Sequence, residues 1–366
     1  MNYLFCNKNL TKSISFNYPG LFTLPSWLTF QGPSNRTAQT SASTLIRGVG
    51  TNQAVANIYG LQHEPAATNF IYAADFSNSW TINGTDNGYI TDPSGTLYGK
   101  DLTSAVGGNG SFIGANSLVQ TSTSFTASAW IKQTISGALN VAYMGSSTAG
   151  VVPICNAVEN PIVGSSWHKI ANTYNSTSVT NNYFLVGDVR TNGGGVQNRG
   201  GYACPQLEST PYATSFIPTS TVPVTRAASS LTLNLTNTTK FRFRYDAQMA
   251  LPSTLTVTQL ILRSSTSSFY VYLSSTGYLN SYSGNLLTDT TQLVWAVDDI
   301  LSFRFVFSNS TSYTINIYKN NVFYYTKTFT HSAIPTFQST GNWIGTDNVL
   351  TGNLSVKGYK YFSLGS

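Results

Sequence analysis

The sequence predicts an all-β chain of sandwich domains, on three observations. Charged residues fill only 9% of the 366 positions, and Ser, Thr and Asn stand where Lys and Glu would coat solvent-facing helices. Tyr (22) and Phe (20) are abundant while Met (3) is scarce, which suits side chains packed on pleated faces. Short runs of alternating apolar and polar residues recur between turns rich in Gly, Asn and Ser. A chain of this length holds two or three domains with cores of their own.

The first 59 residues are weakly patterned, and FQGPSNRTAQTSAS within them is loop-like. They are expected to form an N-terminal arm that docks on a partner. Residues 60–220 read as one domain, with strands at SFTASAWIK (124–132), SSWHKIANTY (165–174) and NNYFLVGDV (181–189). Gly-rich GGNGSFIG (107–114) and TNGGGVQNRGG (191–201) read as loops; the first lacks the Lys and following helix of a phosphate-binding loop. GYACPQLE is expected to be the last strand of this domain. Pro211, Pro218 and Pro223 then fall in a Ser/Thr background, which marks a boundary, with the linker placed at 221–230.

Residues 231–366 form the second expected domain. SSFYVYL (267–273) and LSFRFVF (301–307) alternate as strands, and SSTGYLNSYSGN (274–285) reads as turn-rich. In SYTINIYKNNVFYYTKTF, Tyr313, Ile315 and Ile317 share one parity and Thr314 and Asn316 the other. Asn320-Asn321 then sits where a tight hairpin needs residues tolerant of positive φ. FRFRY places Arg242 and Arg244 opposite the phenylalanines, as a solvated strand face rather than a nucleic-acid groove.

The net charge of +6 arises from scattered residues, so no nucleic-acid partner is expected. No stretch approaches a membrane-spanning length, and the apolar part of MNYLFCNKNLTKS is too short for a secretory signal. Membrane insertion is not expected. Cys6, Cys155 and Cys204 lack metal-ligand spacing and are expected to be free buried thiols rather than a 155–204 pair.

Glutamate occurs only at 64, 159 and 208, and nowhere in the alternating pairs that place two glycosidase carboxylates side by side. His63, His168 and His331 are isolated, and no Gly-x-Ser-x-Gly elbow occurs. The chain is therefore expected not to be an enzyme, and no cofactor is expected. A structural calcium is the one ion the acidic residues would suit, through Asp86, Asn87 and Asp92, through Asp298 and Asp299, or through Asp347 and Asn348. Turn chemistry accounts for the same residues and is the favoured reading. Sugar binding would rest on exposed rings that cover a pyranose CH face, and Tyr278, Tyr282 and Trp295 are the candidates.

Two segments carry a family resemblance. GLQHEPAATNFIYAADFSNSW (60–80) and PQLESTPYATSFIPTS followed by VTRAA resemble the opening and closing segments of a module in bacteriophage tail and virion-surface proteins. The segments bracket about 150 residues, which the resemblance implies to be a jelly roll of the type shared with carbohydrate-binding modules. YTINIYKNNVFYYTKTF and WIGTDNVLTGNLSVKGYKYF (343–362) are similar to late strands of laminin-G/concanavalin-like sandwiches. The resemblance implies a virion-surface structural protein made in the host cytoplasm, docked on capsid or tail proteins through its arm. It further implies a homo-oligomer, such as a trimer, with weak multivalent glycan binding. The alternatives are a host-recognition tail adhesin, a decoration or head-fibre protein that reinforces the shell, and, least favoured, a glycan-degrading enzyme.

Overall fold

A computed structural model of the chain describes residues 12–16, 18–34, 36–39, 41, 43–72, 74–76, 80–103, 112–118, 124–134, 141–148, 155–161, 164–175, 182–187, 199–210, 212–238, 240–251, 253, 259–266, 268–334, 337–345 and 356–365. Cys6, Asp347, Asn348 and the loop cores at 107–111 and 191–198 lie outside them. The described residues form strands and turns without a helix, in antiparallel sheets, consistent with the β-sandwich class.

The chain divides into two compact units, one drawn from Met1–Ser34, Gly50–Pro65 and Ala228–Ser366, the other from Asn35–Val49 and Ala66–Ala227. This differs from the expected arm and two tandem domains. In the first unit, Lys12–Ser15 pairs with Val356–Gly365, Leu28–Gln31 with Ser230–Leu233, and Gly60–Leu61 with Val356–Gly365. Residues of the expected arm are thus strands of the C-terminal unit. Their weak pattern reflects strands of two to four residues, too short to display alternation. A Cβ at Gly60 would collide with the Tyr359 carbonyl, so the close docking of that strand requires glycine.

Two sheets of the first unit share one core. The nine-stranded sheet runs Gly20–Phe22, Ala54–Asn57, Gly60–Leu61, Val356–Gly365, Phe241–Met249, Ile300–Phe307, Ser312–Lys319 and Val322–Thr330, with Lys12–Ser15 also on Val356–Gly365. The seven-stranded sheet runs Asn285–Gln292, Tyr278–Ser283, Phe269–Leu273, Gln259–Arg263, Asn342–Ile344, Ser230–Leu233 and Leu28–Gln31. Phe243, Phe305 and Ile315 of the first sheet and Val271, Leu279 and Ile344 of the second are buried in the shared core. Phe269 meets Phe307 edge-on at 5.9 Å. On the opposite parity Arg242, Arg244 and Gln248 are half-buried, while Asp246 is buried.

The expected hairpin forms between Ser312–Lys319 and Val322–Thr330, with Asn320 and Asn321 at φ of 51° and 66°. Two consecutive left-handed residues make a type I′ turn, whose second position favours glycine. Asn321→Gly is expected to stabilise the chain by a few tenths to ~1 kcal/mol, read as a rise in the denaturant midpoint.

In the second unit, Thr85–Ile90, Gly99–Thr103, Arg199–Glu208, Ser124–Gln133 and His168–Asn175 form one five-stranded sheet. Cys155–Pro161, Val141–Thr148, Asn182–Gly187, Phe112–Leu118 and Trp80–Asn83 form the other. Ser124–Gln133 is covered on both faces: Phe125, Ala127, Ala129 and Ile131 join one cluster, and Trp130 joins another with Trp167, Ala203 and Phe216. The free thiol of Cys204 is buried, and burial pushes its pKa up.

The Ser/Thr/Pro run expected to leave this domain is not a solvated linker through Thr219. Thr214–Ile217 is a buried strap whose four carbonyls, and the amides of Thr214 and Ile217, bond to side chains. Gln206 accepts from Ile217 N (2.6 Å) and donates to Ser215 O (3.2 Å), and Glu208 accepts from Thr214 N (3.0 Å). Lys169 donates to Thr214 O, Thr37 to Phe216 O, Arg226 to Ser215 O and Asn69 to Ile217 O. The Gln-Leu-Glu of the closing strand therefore ties down the segment that follows it, while Leu207 between them points into the core. The unit boundary falls at 227–228, inside the expected linker, although Val224–Arg226 still pairs with Ala67–Asn69.

Candidate functional site

The outward face of the seven-stranded sheet carries a continuous cross-strand row. Register pairs connect Thr29 to Thr232, Thr232 to Trp343, Trp343 to Arg263, Arg263 to Tyr270, Tyr270 to Tyr282 and Tyr282 to Leu286. Directly opposed residues share a face, so seven strands contribute one residue each to a single stripe. The order follows from local sequence. Phe269, Val271 and Leu273 take the inward parity, which turns Tyr270 and Tyr272 outward. Leu279 enters the core, placing Tyr278, Asn280 and Tyr282 on the outward side.

Within the stripe, Tyr270 and Tyr282 stack with centroids 4.7 Å apart and planes 12° from parallel. Tyr272 leans on Tyr270 at 5.9 Å, and the Arg263 guanidinium lies 5.3 Å from the Trp343 ring. Tyr270 and Tyr282 each spend one face on the other, leaving ring edges, hydroxyls and the Leu286 end to meet a ligand. Leu286 is 53% exposed. Burial raises the pKa of Tyr270, with Tyr272 and Tyr282 adding to it and Arg263 opposing, so its hydroxyl stays protonated at neutral pH. In the next row Thr288 Oγ1 donates to Asn280 Oδ1 (2.7 Å), which fixes that amide.

Two of the three sequence-predicted aromatics lie on this face, four positions apart on one strand, and of them Tyr282 joins the stripe. Tyr278 and Tyr282 share this face, on the strand Tyr278–Ser283 rather than in a turn. Gly277 and Gly284, at φ of 82° and 73°, make the turns on either side, and the Ser and Asn between them hid the strand. Trp295 is corrected to a core residue: it is 7% exposed, and its ring N–H donates to Leu251 O at 2.9 Å. Tyr270, Tyr272, Arg263 and Trp343 were missed. The available signal was FYVYL, whose second parity is all tyrosine, a residue suited to a half-wet position.

The acidic candidates are occupied by protein donors. Asp86 accepts from Lys100 Nζ (2.9 Å) and Gly88 N (2.8 Å); burial pushes its pKa up, but these donors outweigh it and hold it below the ordinary value. Asp92 accepts from Ser94 N, Ser94 Oγ and Thr96 N and pairs with Arg47. Asp298 is held low by its hydrogen bond from Lys357, and Asp299 by one from Ala296 N. Asn87 donates to Thr103 Oγ1 at 2.8 Å. Among the described residues no three His, Cys, Asp or Glu side chains cluster.

Folding also creates a serine–histidine contact that the sequence did not reveal. Ser281 Oγ lies 2.7 Å from His331 Nε2, with Asn285 Oδ1 3.4 Å from Nδ1. Ser281 is fully buried, and burial lowers the His331 pKa. A nucleophile must reach substrate; this pair links strand Tyr278–Ser283 to the end of the hairpin inside the core. Glu208 is likewise buried, and burial raises its pKa.

Fold and face together define an all-β chain with a broad aromatic stripe on one sheet. No protein-family model matches this sequence, and no curated protein does.

Proposed function

We propose that this chain is a non-enzymatic structural protein displayed on a bacteriophage particle, where it makes weak, multivalent contacts with glycans. In this reading the second unit is the jelly-roll-like module and the first the concanavalin-like sandwich. A symmetric homo-oligomer, such as a trimer, joins capsid or tail proteins of the particle. The sequence resemblance motivates the virion setting, and the aromatic stripe carries the glycan reading. Tyrosine edges and hydroxyls beside Leu286 offer apolar contact to sugar CH groups and hydrogen bonds to hydroxyls. Multivalent display compensates for low affinity at each site.

The test compares the soluble chain with the chain coupled densely to beads, on an array of bacterial surface glycans. Only the dense form is expected to be retained. Tyr282→Ala is expected to weaken each site by about 1 kcal/mol, roughly fivefold, and avidity multiplies the loss on beads. Unchanged retention by that variant would remove the stripe from consideration. Antibody labelling of intact particles tests the setting, and particles that stay unlabelled would rule it out.

A further inference from the structure

The outward face of the nine-stranded sheet holds two arginines directly opposite one another, Arg244 on Phe241–Met249 and Arg304 on Ile300–Phe307. Like charges in that relation repel, and a sheet retains them only with compensation. Arg244 has it: its fork grips Asp246 through Nε (2.9 Å) and a terminal nitrogen (2.6 Å), and it lies over the Tyr361 ring at 4.7 Å. Arg304 lies 3.7 Å over the Tyr318 ring, and no hydrogen bond or ion pair joins its guanidinium to another described residue. Its Nε and the neighbouring Ser302 Oγ are shielded donors without an acceptor. Ser302 is the register partner of both Asp246 and Tyr318, so these groups form one patch.

Two guanidinium groups and one carboxylate leave the patch with one uncompensated positive charge. Beside it stands an open ring: Phe323, 56% exposed, packs edge-on against Tyr318 at 5.6 Å. Asn316, the register partner of Arg304, and Thr326, which pairs with Asn316 and donates to its Oδ1 at 2.7 Å, add amide and hydroxyl groups. We propose that this patch binds an acidic polysaccharide, with a singly charged oxyanion of the sugar, carboxylate or sulfate, on Arg304 and the pyranose against Phe323. A planar guanidinium matches either oxyanion through paired hydrogen bonds. The site lies on the opposite sheet from the tyrosine stripe and stands whether or not the stripe binds sugar.

The experiment is titration calorimetry of the full chain with hyaluronate oligosaccharides (carboxylate), sulfated dextran (sulfate), neutral dextran and a single-stranded oligonucleotide. Binding is expected for at least one acidic polysaccharide and not for neutral dextran, and the better of the two acidic probes identifies the oxyanion. Arg304→Gln is expected to weaken it about tenfold, the loss of a charge-assisted contact. Arg242→Gln removes the same charge from the same face and is expected to change it less than about twofold, because diffuse attraction is screened. Thermal melting provides the folding control, with Arg304→Gln unchanged or a few °C more stable once the opposed charges are relieved. Equal losses in the two variants would show only net charge and overturn the proposal. Tighter binding of the oligonucleotide than of either acidic polysaccharide would assign the patch to nucleic acid instead, and failure to bind every acidic probe would dismiss it.

Discussion

Asn69→Ala is expected to destabilise the second unit by about 3–5 kcal/mol, the range reached when a buried polar network is broken. Asn69 is fully buried and uses its whole amide. Its Oδ1 accepts from Ile71 N and Leu207 N, each at 3.1 Å, while Nδ2 donates to Ile217 O (2.9 Å) and Pro205 O (3.3 Å). Truncation strands two backbone N–H groups and two carbonyls where water is excluded, and orphaned buried groups cost about 1–3 kcal/mol each before relaxation. Asn69→Asp keeps the acceptors, loses the donors and adds a buried charge, so it is expected to fall in the same range. Denaturant unfolding followed by tryptophan fluorescence measures this, since Trp130 and Trp167 lie in that unit's core. A loss under about 1 kcal/mol would mean that the strap is held by its apolar residues, Phe216 and Ile217, instead.

Asp289→Ala is expected to cost the first unit about 2–4 kcal/mol, because it leaves Lys327 without its partner and unties two sheets. Asp289 belongs to the edge strand of the seven-stranded sheet, and Tyr325 and Lys327 to the edge strand of the nine-stranded one. Its Oδ1 accepts from Lys327 Nζ (2.9 Å) and Tyr325 Oη (3.0 Å), with its side chain fully buried. Burial pushes the carboxyl pKa up, but the bonds from Lys327, Tyr325 and Thr291 N outweigh burial and hold it below the ordinary value. An unfolded aspartate titrates near ~3.9, so the contribution of Asp289 is fully present above that pH and is lost as pH falls through the lower folded value. Lys327 behaves in mirror image. The hydrogen bond to Asp289 raises its pKa, so its contribution holds below the unfolded value of ~10.4 and is lost as pH rises through the folded one. The acid limb of the stability profile is expected to be shallower in Asp289→Ala; an unchanged slope would exclude the clasp as its source.

Much of the fold was legible where strands are long and their faces differ. Ser312–Lys319 shows its alternation and, with the returning Val322–Thr330, its Asn-Asn turn, and Ser124–Gln133 was found within a residue. Pairings distant in sequence were not legible. Lys12–Ser15 carries no mark that its partner is Val356–Gly365, and Arg36–Gln39 sits in a run whose Gly, Pro, Ser and Asn spell a loop. The strap misled for a physical reason: side chains of Thr37, Asn69, Lys169, Gln206, Glu208 and Arg226 bond to its backbone, and only folding assembles them. For the candidate face, Tyr278 and Tyr282 could be suspected from their residue type. The row joining Tyr282 to Tyr270 and Trp343 exists only through strand register, which a single sequence does not encode locally.

The pairing of Lys12–Ser15 with Val356–Gly365 also determines when the first unit can form during synthesis. Its earliest strand waits for its latest, and a ribosome adding ~5–20 residues per second spends tens of seconds on the chain between them. Through that interval Leu28–Gln31 and Ala54–Asn57 have emerged without the strands that complete their sheets. The sparse charge of the chain and its many Ser and Thr residues suit such a wait, since few long apolar runs are left open to neighbouring nascent chains. A fragment that stops before Val356 would lack the strand that joins Lys12–Ser15, Gly60–Leu61 and Phe241–Met249, and is expected to be recovered as aggregate rather than as a smaller soluble domain.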